Sequence, residues 1–347
     1  MKSIARRLLG SALLGLLAHA ASAATGMTEL PAPPGTSPVT LYYPTDATPA
    51  AIQRGPFTLH VAQNAPPVRG NGRLVVLSHG TGGAFEPEAG LAEVLVAAGF
   101  TVAMPEHAGD NWHDHSAAGL VSFRHRPQEI SQAIDAVAAD ARFAPLLDFK
   151  RVGMYGMSAG GFTALVMAGG QWSPARLVQH CRAHLEEDFS ACFPMPVALT
   201  GGMFDGVKLW LARGWLWFNR RMADQAAPEH WDDPRIAAVV AAVPHATAFD
   251  MSTLAHPRVP LGLVRAGRDI WLVPRWHIDA VRAACKDCVL IADMPEAGHG
   301  SILAPIPPGV LPEDVARLMG DPPGFDRGTL PGVYAAIAHF FSDNLRP

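Results

Sequence analysis

Short continuous apolar runs alternate along this chain with longer segments whose apolar positions recur with a helical period. That alternation predicts strands separated by helices, and hence a mostly parallel, doubly wound α/β sheet with helices on both faces. The predicted strands are residues 40–43, 57–61, 74–77, 101–104, 151–155, 236–243, 261–264 and 289–292, and the first two are candidates for antiparallel strands at an edge. The predicted helices are residues 89–98, 128–139, 161–168, 276–284 and 333–341.

One segment, residues 171–233, interrupts this alternation of strands and helices. An insertion at this point of such a sheet is expected to form a helical cap over a site at the strand ends. Its apolar cluster is interpreted either as an acyl-binding wall or mobile lid, or as packing between the cap and the sheet, and the sequence leaves both interpretations open. The cluster consists of Leu209, Trp210, Leu211, Trp215, Leu216, Trp217 and Phe218.

The first 23 residues have the pattern of a secretory signal peptide. Three basic residues precede an apolar stretch at residues 8–17 that is too short to span a bilayer, and small residues at 21–23 predict cleavage before Ala24. No cysteine follows that stretch, and no later segment is long and apolar enough to cross a membrane, so no stable membrane anchor is expected. The protein is therefore predicted to be exported and to be periplasmic or secreted.

Residues 24–347 can build one large core and contain no segment that looks like an interdomain linker, which predicts a single domain with the cap as an insertion. The full chain has 27 basic and 31 acidic residues, a formal charge of −4, and loss of the leader's three basic residues would bring the charge to −7. This mildly acidic balance argues against nucleic acid as a partner. Nothing in the sequence indicates the oligomeric state.

Four cysteines in a protein bound for an oxidising compartment predict two disulfides. The four are Cys181, Cys192, Cys285 and Cys288. Three pairings are possible, and proximity favours Cys181 with Cys192 and Cys285 with Cys288. The C-x-x-C spacing of the second pair also occurs in redox dithiols and zinc sites, but no thioredoxin-like context and no second ligand pair accompanies it.

The motif GMSAG at residues 156–160 follows a predicted strand and precedes a predicted helix of small residues. This is the strand, sharp turn and helix that a nucleophile elbow requires, with Ser158 as the nucleophile. Gly156 and Gly160 would stand where a side chain collides with the neighbouring strand and helix. A serine that merely caps the helix is the alternative interpretation.

The motif SHGTGG at residues 78–83 directly follows another buried strand. An acyl-transfer enzyme needs preorganised donors for the oxyanion of its tetrahedral intermediate. In this architecture one backbone N–H comes from the residue after the nucleophile and another from this turn, which predicts Ala159 and Thr81 as the donors. A dinucleotide-binding loop is excluded because no G-x-G-x-x-G follows a strand.

A serine nucleophile also needs a base and an orienting acid, in the chain order serine, acid, histidine. His299 follows the last predicted strand and stands between two glycines, which predicts it as the base. Asp269 lies in a Gly-x-Asp turn at the end of the preceding strand and is predicted to hold the imidazole. Capping of the following helix is the alternative role for Asp269.

The loop after the strand at residues 101–104 concentrates side chains that can bind metals, although their spacing matches no standard zinc or calcium pattern. We therefore expect them to contact a polar part of the substrate, with a metal site as the alternative. No metal or organic cofactor is expected for the reaction. The side chains are His107, Asp110, His113, Asp114 and His115.

The elbow, LSHGTGG at residues 77–83, PEHAGD at 105–110, Arg126-Pro127 and AGH at 297–299 form a combination that resembles a known family. It resembles the predicted dienelactone hydrolase group of secreted α/β-hydrolases, which is similar to the platelet-activating factor acetylhydrolases. The resemblance covers most of the chain. It implies an α/β-hydrolase fold with a helical cap insertion.

For the site, the resemblance implies a triad of Ser158, Asp269 and His299. Dienelactone hydrolases usually carry a cysteine nucleophile where this chain has Ser158, so the resemblance supports the fold better than it supports dienelactone as the substrate. In the acetylhydrolases the acid follows an earlier strand, which here would make Asp250 the acid. Both candidates for the acid therefore stay open.

These features predict a serine hydrolase that cleaves carboxylic esters through an acyl-enzyme, with a small-molecule or lipid-like ester as its substrate. Lipases and polyesterases share the fold, and a non-catalytic binding protein on the same fold is a further alternative. A binding protein would be expected to lack a triad member or an oxyanion glycine, whereas this chain has them all. A serine peptidase of this fold would need a propeller or a dedicated site for the peptide terminus.

Overall fold

The structure is a computed structural model that describes residues 23–32, 37–193, 197–218, 221, 224, 227–306, 309 and 313–346. Residues 1–22 of the predicted signal peptide lie outside the described residues. Within the described ranges, no helix is long and apolar enough to cross a membrane.

A ten-stranded sheet runs through the molecule. Its strands are β1 (Ala24–Leu30), β2 (Val39–Thr45), β3 (Ala50–Arg54), β4 (Phe57–Gln63), β5 (Leu74–Ser78), β6 (Thr101–Pro105), β7 (Val152–Met157), β8 (Ile236–Ala242), β9 (Leu261–Ala266) and β10 (Val289–Met294). They lie in the order β10-β9-β8-β7-β5-β6-β2-β1-β4-β3, and neighbouring strands from β6 to β10 are parallel. The predicted, mostly parallel α/β sheet is therefore confirmed.

Helices cover both faces of this sheet. They are α1 (Ala89–Ala97), α2 (Leu120–Ala139), α3 (Ala159–Met167), α4 (Pro174–His184), α5 (Phe189–Cys192), α6 (Asp205–Phe218), α7 (Ile278–Ala284), α8 (Glu313–Met319) and α9 (Leu330–Asn344). On β7, Val152 and Met154 face the core under α2, α3 and α7, whereas Tyr155 and Met157 face the core under α1 and α9. This two-residue alternation explains why the central strands read as continuous apolar runs.

The two early strands lie as predicted in the antiparallel part of the sheet: β2 pairs antiparallel with β1 and β6, and β4 pairs antiparallel with the edge strand β3. One helix differs from the sequence prediction. Helix α2 begins at Leu120 and contains Pro127, although the residue before a proline is usually not helical. Packing overrides that preference, since Phe123 stacks on Phe162 with ring centroids 4.1 Å apart and Arg126 is fully buried.

The segment after α3 forms the predicted helical cap, with α4, α5 and α6 around a small apolar cluster. The cluster includes both members of the disulfide Cys181–Cys192, whose Cα atoms are 5.4 Å apart. A second disulfide joins Cys285 and Cys288 between α7 and β10, with Cα atoms 5.7 Å apart. The cysteines thus pair as sequence proximity favoured.

The apolar cluster predicted in α6 divides between two environments. Leu216 is buried in the cap cluster, and Leu209 and Trp215 pack partly against it. Trp210 and Phe218 remain 71% and 77% exposed. Packing of the aromatic run between the cap and the sheet, one of the two interpretations left open, therefore does not extend to Trp210 and Phe218.

Candidate active site

Ser158 occupies the sharp turn between β7 and α3. Its backbone has φ 60° and ψ −116°, a left-handed conformation that a non-glycine residue adopts only when its surroundings enforce it. The surroundings do so here, because the N–H of Ser158 donates to Ala242 O at 3.1 Å and its carbonyl accepts from the amides of Phe162 and His245 at 2.9 and 3.1 Å. The turn presents a partly exposed hydroxyl at the carboxyl end of β7.

The two glycines of the motif are required by close backbone contacts. A Cβ on Gly156 would lie 1.9 Å from Gly160 O, and a Cβ on Gly160 would lie 1.8 Å from Ser78 O. Both distances are far below a van der Waals contact, and the obstructing atoms belong to the backbone. Any side chain at these positions would push the helix away from the strands and displace Ser158.

The structure brings Ser158, His299 and Asp269 together in one line. His299 Nε2 lies 2.9 Å from Ser158 Oγ, and His299 Nδ1 lies 2.6 Å from Asp269 Oδ2. The other carboxylate oxygen accepts from the amides of Trp271 and Leu272 at 2.8 and 2.9 Å. Because an ionised carboxylate only accepts, His299 donates from Nδ1 and leaves Nε2 to accept the serine proton. The amide contacts of Asp269 therefore fix the orientation that a general base needs.

His299 is fixed by its glycine neighbours as well as by the carboxylate. A Cβ on Gly300 would lie 2.5 Å from Leu318 O, and a Cβ on Gly298 would lie 3.0 Å from Pro322. Because these side chains are absent, the turn that carries His299 packs closely against residues 318–322. His299 is consequently only 4% exposed.

Asp250, the rival acid, lies in a different environment. Its carboxylate accepts from Arg176 at 2.5 Å and from the hydroxyl of Ser252 at 2.7 Å, and it caps a short helical turn at Met251–Leu254. These hydrogen bonds lower the pKa of Asp250. Its hydrogen-bond partners are thus surface groups, whereas His299 pairs with Asp269.

The turn after β5 lies against Ser158. A Cβ on Gly80 would be 3.3 Å from Ser158 Cβ, and the amide of Gly83 donates to Gly80 O at 3.1 Å to close a tight turn. Gly82 has φ +62°, a value that the third residue of such turns often requires. Thr81 is exposed, and its amide makes no hydrogen bond to another described residue. Ala159 begins α3, where amides have no acceptor within the helix.

The loop that follows β6 supports this turn rather than lining a pocket rim. His107 and Asp110 are fully buried beneath it, so the expectation that they contact substrate is wrong for these two residues. The reason is a set of buried partners on β5 and α2, above all Arg126, which the sequence did not assign a role. Within the described residues, no three His, Cys, Asp or Glu side chains are grouped so that they could hold a metal ion.

A second buried group that sequence reasoning missed ties the cap to the elbow. Asp188, between α4 and α5, accepts from His180 at 2.8 Å and from His277 at 2.9 Å, and His277 Nδ1 in turn accepts from Ala246 N. Burial alone would raise the pKa of Asp188, but the two histidines outweigh burial and hold this pKa below its usual value. Burial and the neighbouring His277 lower the pKa of His245 to about 3.

Comparison with known proteins supports the fold. No protein-family model matches the sequence, and no curated protein matches it. Among solved structures, the chain is similar to a ferulic acid esterase from Streptomyces cinnamoneus, with a TM-score of 0.55, 18% identity, and coverage of 95% of this chain and 92% of that one. The chain therefore has the α/β-hydrolase fold, while the resemblance to the dienelactone hydrolase group stays a prediction of the sequence.

Proposed function

We propose that this protein is a serine hydrolase that cleaves carboxylic esters. The observation that carries the proposal is the continuous hydrogen-bonded line from Ser158 Oγ through His299 to Asp269, set on a strained elbow beside a glycine turn. This arrangement offers a candidate nucleophile, base and orienting acid, and the glycine turn offers a candidate oxyanion donor. The similarity to a ferulic acid esterase supports the same reaction class.

In the proposed reaction, Ser158 Oγ attacks the ester carbonyl carbon while His299 Nε2 takes the hydroxyl proton. Asp269 stabilises the imidazolium, and the amides of Thr81 and Ala159 donate to the oxyanion. The carbonyl re-forms as the alcohol leaves with the proton from His299, and the acyl group stays on Ser158. Water then attacks the acyl-enzyme by the same steps, which releases the acid and restores the serine.

A fluorophosphonate probe tests the proposed nucleophile directly. The probe phosphorus should bond to Ser158 Oγ with loss of fluoride, and mass spectrometry of the digested protein should place the adduct on the peptide that contains residue 158. Ser158→Ala should take up no probe. Labelling of that variant, or of another serine in the wild type, would contradict the assignment.

The ester itself can be identified with a graded panel. We propose a small or lipid-like ester, and the panel should combine p-nitrophenyl esters of increasing acyl length with methyl ferulate, a short-acyl phospholipid and a polyester film. A preference for short or aromatic acyl groups supports an esterase, long chains a lipase, and the film a polyesterase. Tight binding of an ester without turnover would support the binding-protein alternative instead.

We also propose that the mature chain, residues 24–347, is one domain exported to the periplasm or secreted. The two disulfides support an oxidising compartment. N-terminal sequencing of the exported protein should begin at Ala24, and denaturation without reductant should leave no thiol that iodoacetamide can alkylate. A chain that keeps residues 1–23, or that carries free thiols, contradicts this proposal.

A further inference from the structure

A second array of serine, histidine and carboxylate lies directly beneath the turn at residues 80–83. Ser78 Oγ is 2.8 Å from His107 Nε2, and His107 Nδ1 is 2.5 Å from Glu129 Oε2. The remaining oxygen of Glu129 accepts from the amide of Ala108 at 3.0 Å. Ser78 and His107 are completely buried, so substrate has no access to this serine, and we attribute a structural purpose to the array.

Arg126 of α2 joins this array to the turn. Its side chain is completely buried, and its guanidinium donates to the carbonyls of His79 and Gly80, the second at 3.2 Å. It also donates to the Asp110 carboxylate at 2.9 Å and, through Nε, to Ser122 Oγ at 2.7 Å. A planar guanidinium with five donors can hold several acceptors at fixed angles, which an ammonium cannot.

Asp110 and Arg126 together hold the turn at residues 80–83 from two sides, and we call this ion pair the clamp. Asp110 Oδ2 pairs with Arg126, and Asp110 Oδ1 accepts from the amide of Gly82 at 2.9 Å. The Arg126–Asp110 pair therefore holds the peptide groups on both sides of Thr81. Burial would raise the pKa of Asp110, but the positive charge of Arg126 and hydrogen bonds from Ser122 and Gly82 outweigh burial and lower this pKa, which favours the ionised carboxylate.

The clamp also determines where the amide of Thr81 points. The carbonyl of Gly80 accepts from His79 Nδ1 at 2.7 Å, from Arg126 and from the amide of Gly83. In a planar trans peptide the carbonyl and the following N–H point in opposite directions. Holding the Gly80 carbonyl toward the buried network thus aims the Thr81 N–H away from it.

We propose that Arg126, paired with Asp110, is a positioning residue that fixes the Thr81 amide as an oxyanion donor. This inference rests on the esterase function proposed above. A buried ion pair is costly and often adds no net stability, so packing alone does not account for a guanidinium here.

The array of Ser78, His107 and Glu129 supports this clamp from below, and its imidazole is uncharged. Burial, followed by the nearby Arg126, lowers the pKa of His107 well below its usual value, so the imidazole stays uncharged and adds no second cation. Neutral His107 donates from Nδ1 to Glu129 and accepts the Ser78 proton at Nε2. The hydroxyl oxygen of Ser78 then faces Arg126 at 3.5 Å.

The test compares Arg126→Lys with Arg73→Lys. Arg73 is 9% exposed and pairs with Asp148 at 2.6 Å just before the opposite end of β5, so its variant also loses a largely buried guanidinium but leaves the turn untouched. The constants to measure are kcat and KM per titrated active site, together with Ki for a trifluoromethyl ketone. Ser158 adds to that ketone, His299 takes the proton, and the resulting oxyanion occupies the same donors as the transition state.

Arg126→Lys should lower kcat about 10- to 100-fold with KM changed less than about 3-fold, because displacement of a catalytic group by about 1 Å can cost about 100-fold. Its Ki for the ketone should rise by the same factor as kcat/KM falls, whereas Arg73→Lys should leave both constants near the wild type. Loss of folded protein alone would lower the number of titrated sites without changing Ki. Equal kinetics in the two variants would overturn the proposal.

Ser122→Ala keeps the test decisive if Arg126→Lys does not fold. It removes one oxygen that orients the guanidinium, and it should lower kcat and raise Ki by a common factor of roughly 3 or more. Wild-type values for both constants would overturn the proposal. A wild-type protein that neither cleaves esters nor binds the ketone would instead defeat the esterase function, which separates the two failures.

Discussion

The molecule contains two arrays of serine, histidine and carboxylate with nearly equal hydrogen-bond lengths. In the first, Ser158 lies 2.9 Å from His299, and in the second, Ser78 lies 2.8 Å from His107. Ser158 is partly exposed on a strained turn, while Ser78 ends a regular strand and is completely buried. Hydrogen-bond distances alone therefore do not identify a catalytic serine. The proposed catalytic role of Ser158 rests on its access to substrate and on the proposed oxyanion donors beside it.

The largest difference in turnover between the two arrays is expected when each serine is replaced by alanine. Ser158→Ala should lower kcat by about 10⁴-fold or more, because it removes the nucleophile and leaves only the oxyanion donors and binding. Ser78→Ala should lower kcat about 10-fold or less, through the position of the turn. Circular dichroism establishes that both variants fold, and their concentration is measured by a method that does not depend on the active site. A larger loss in Ser78→Ala than in Ser158→Ala would reverse the assignment of the two arrays.

The acids of the two arrays should differ almost as strongly. Asp269→Asn keeps the shape but allows His299 the wrong tautomer, a change that costs about 10⁴-fold in turnover in a well-studied triad. Glu129→Gln should change turnover by about 10-fold or less, since its histidine handles no substrate proton. Asp250→Asn is the matched surface control and should retain nearly full turnover. Loss of turnover in Asp250→Asn with an active Asp269→Asn would transfer the role of the acid to Asp250.

A third prediction concerns the oxyanion donors proposed beside the first array. Thr81→Pro removes the N–H, and proline suits the second position of a tight turn closed between Gly80 and Gly83. Loss of one oxyanion donor should lower kcat about 10²- to 10³-fold with little change in KM. Thr81→Ala, which keeps the N–H, is the control and should stay within about 3-fold. Equal turnover in the two variants would exclude this amide as a donor.

The first array could be predicted from sequence because local chain geometry marks its members. The contacts of Gly156 and Gly160 leave no room for a side chain, so the elbow has a sequence motif. Asp269 and His299 each follow a strand of the sheet, and parallel strands bring their carboxyl ends to one edge. These constraints act over a few residues and are therefore visible without a structure.

The second array had no comparable signal, since its members come from separate segments and are joined only by packing. Arg126 stands next to Pro127, and that proline favours a helix start at residue 128, whereas α2 begins at Leu120. Asp188 and its histidine partners were missed for the same reason, because their contacts cross from the cap to α7. The sequence left two interpretations of the aromatic run in α6 open, because hydrophobicity alone does not tell which apolar face finds a partner.

The smallest expected effect is on stability. The pH dependence of the free energy of unfolding should distinguish the second array. Burial lowers the pKa of His107 and of His79 well below their usual value, and nearby Arg126 adds to the effect on both. Asp110 and Glu129 are the carboxylates that face this pair. The unfolded chain takes up protons on these imidazoles near pH 6.5 while the folded chain does not. Stability should therefore be fully present above that pH and be lost as the pH falls.

Each such histidine contributes a slope of about 1.4 kcal/mol per pH unit below its unfolded pKa, or about 2 kcal/mol between pH 6.5 and 5. Urea denaturation across this range measures the total slope, to which His245 adds because burial also lowers its pKa. His107→Gln removes one titrating group and should reduce the slope by about 1.4 kcal/mol per pH unit, whatever its effect on stability at pH 7.5. An unchanged slope in His107→Gln would mean that this imidazole is protonated in the folded chain, and that the second array is charged like the imidazolium of a working triad.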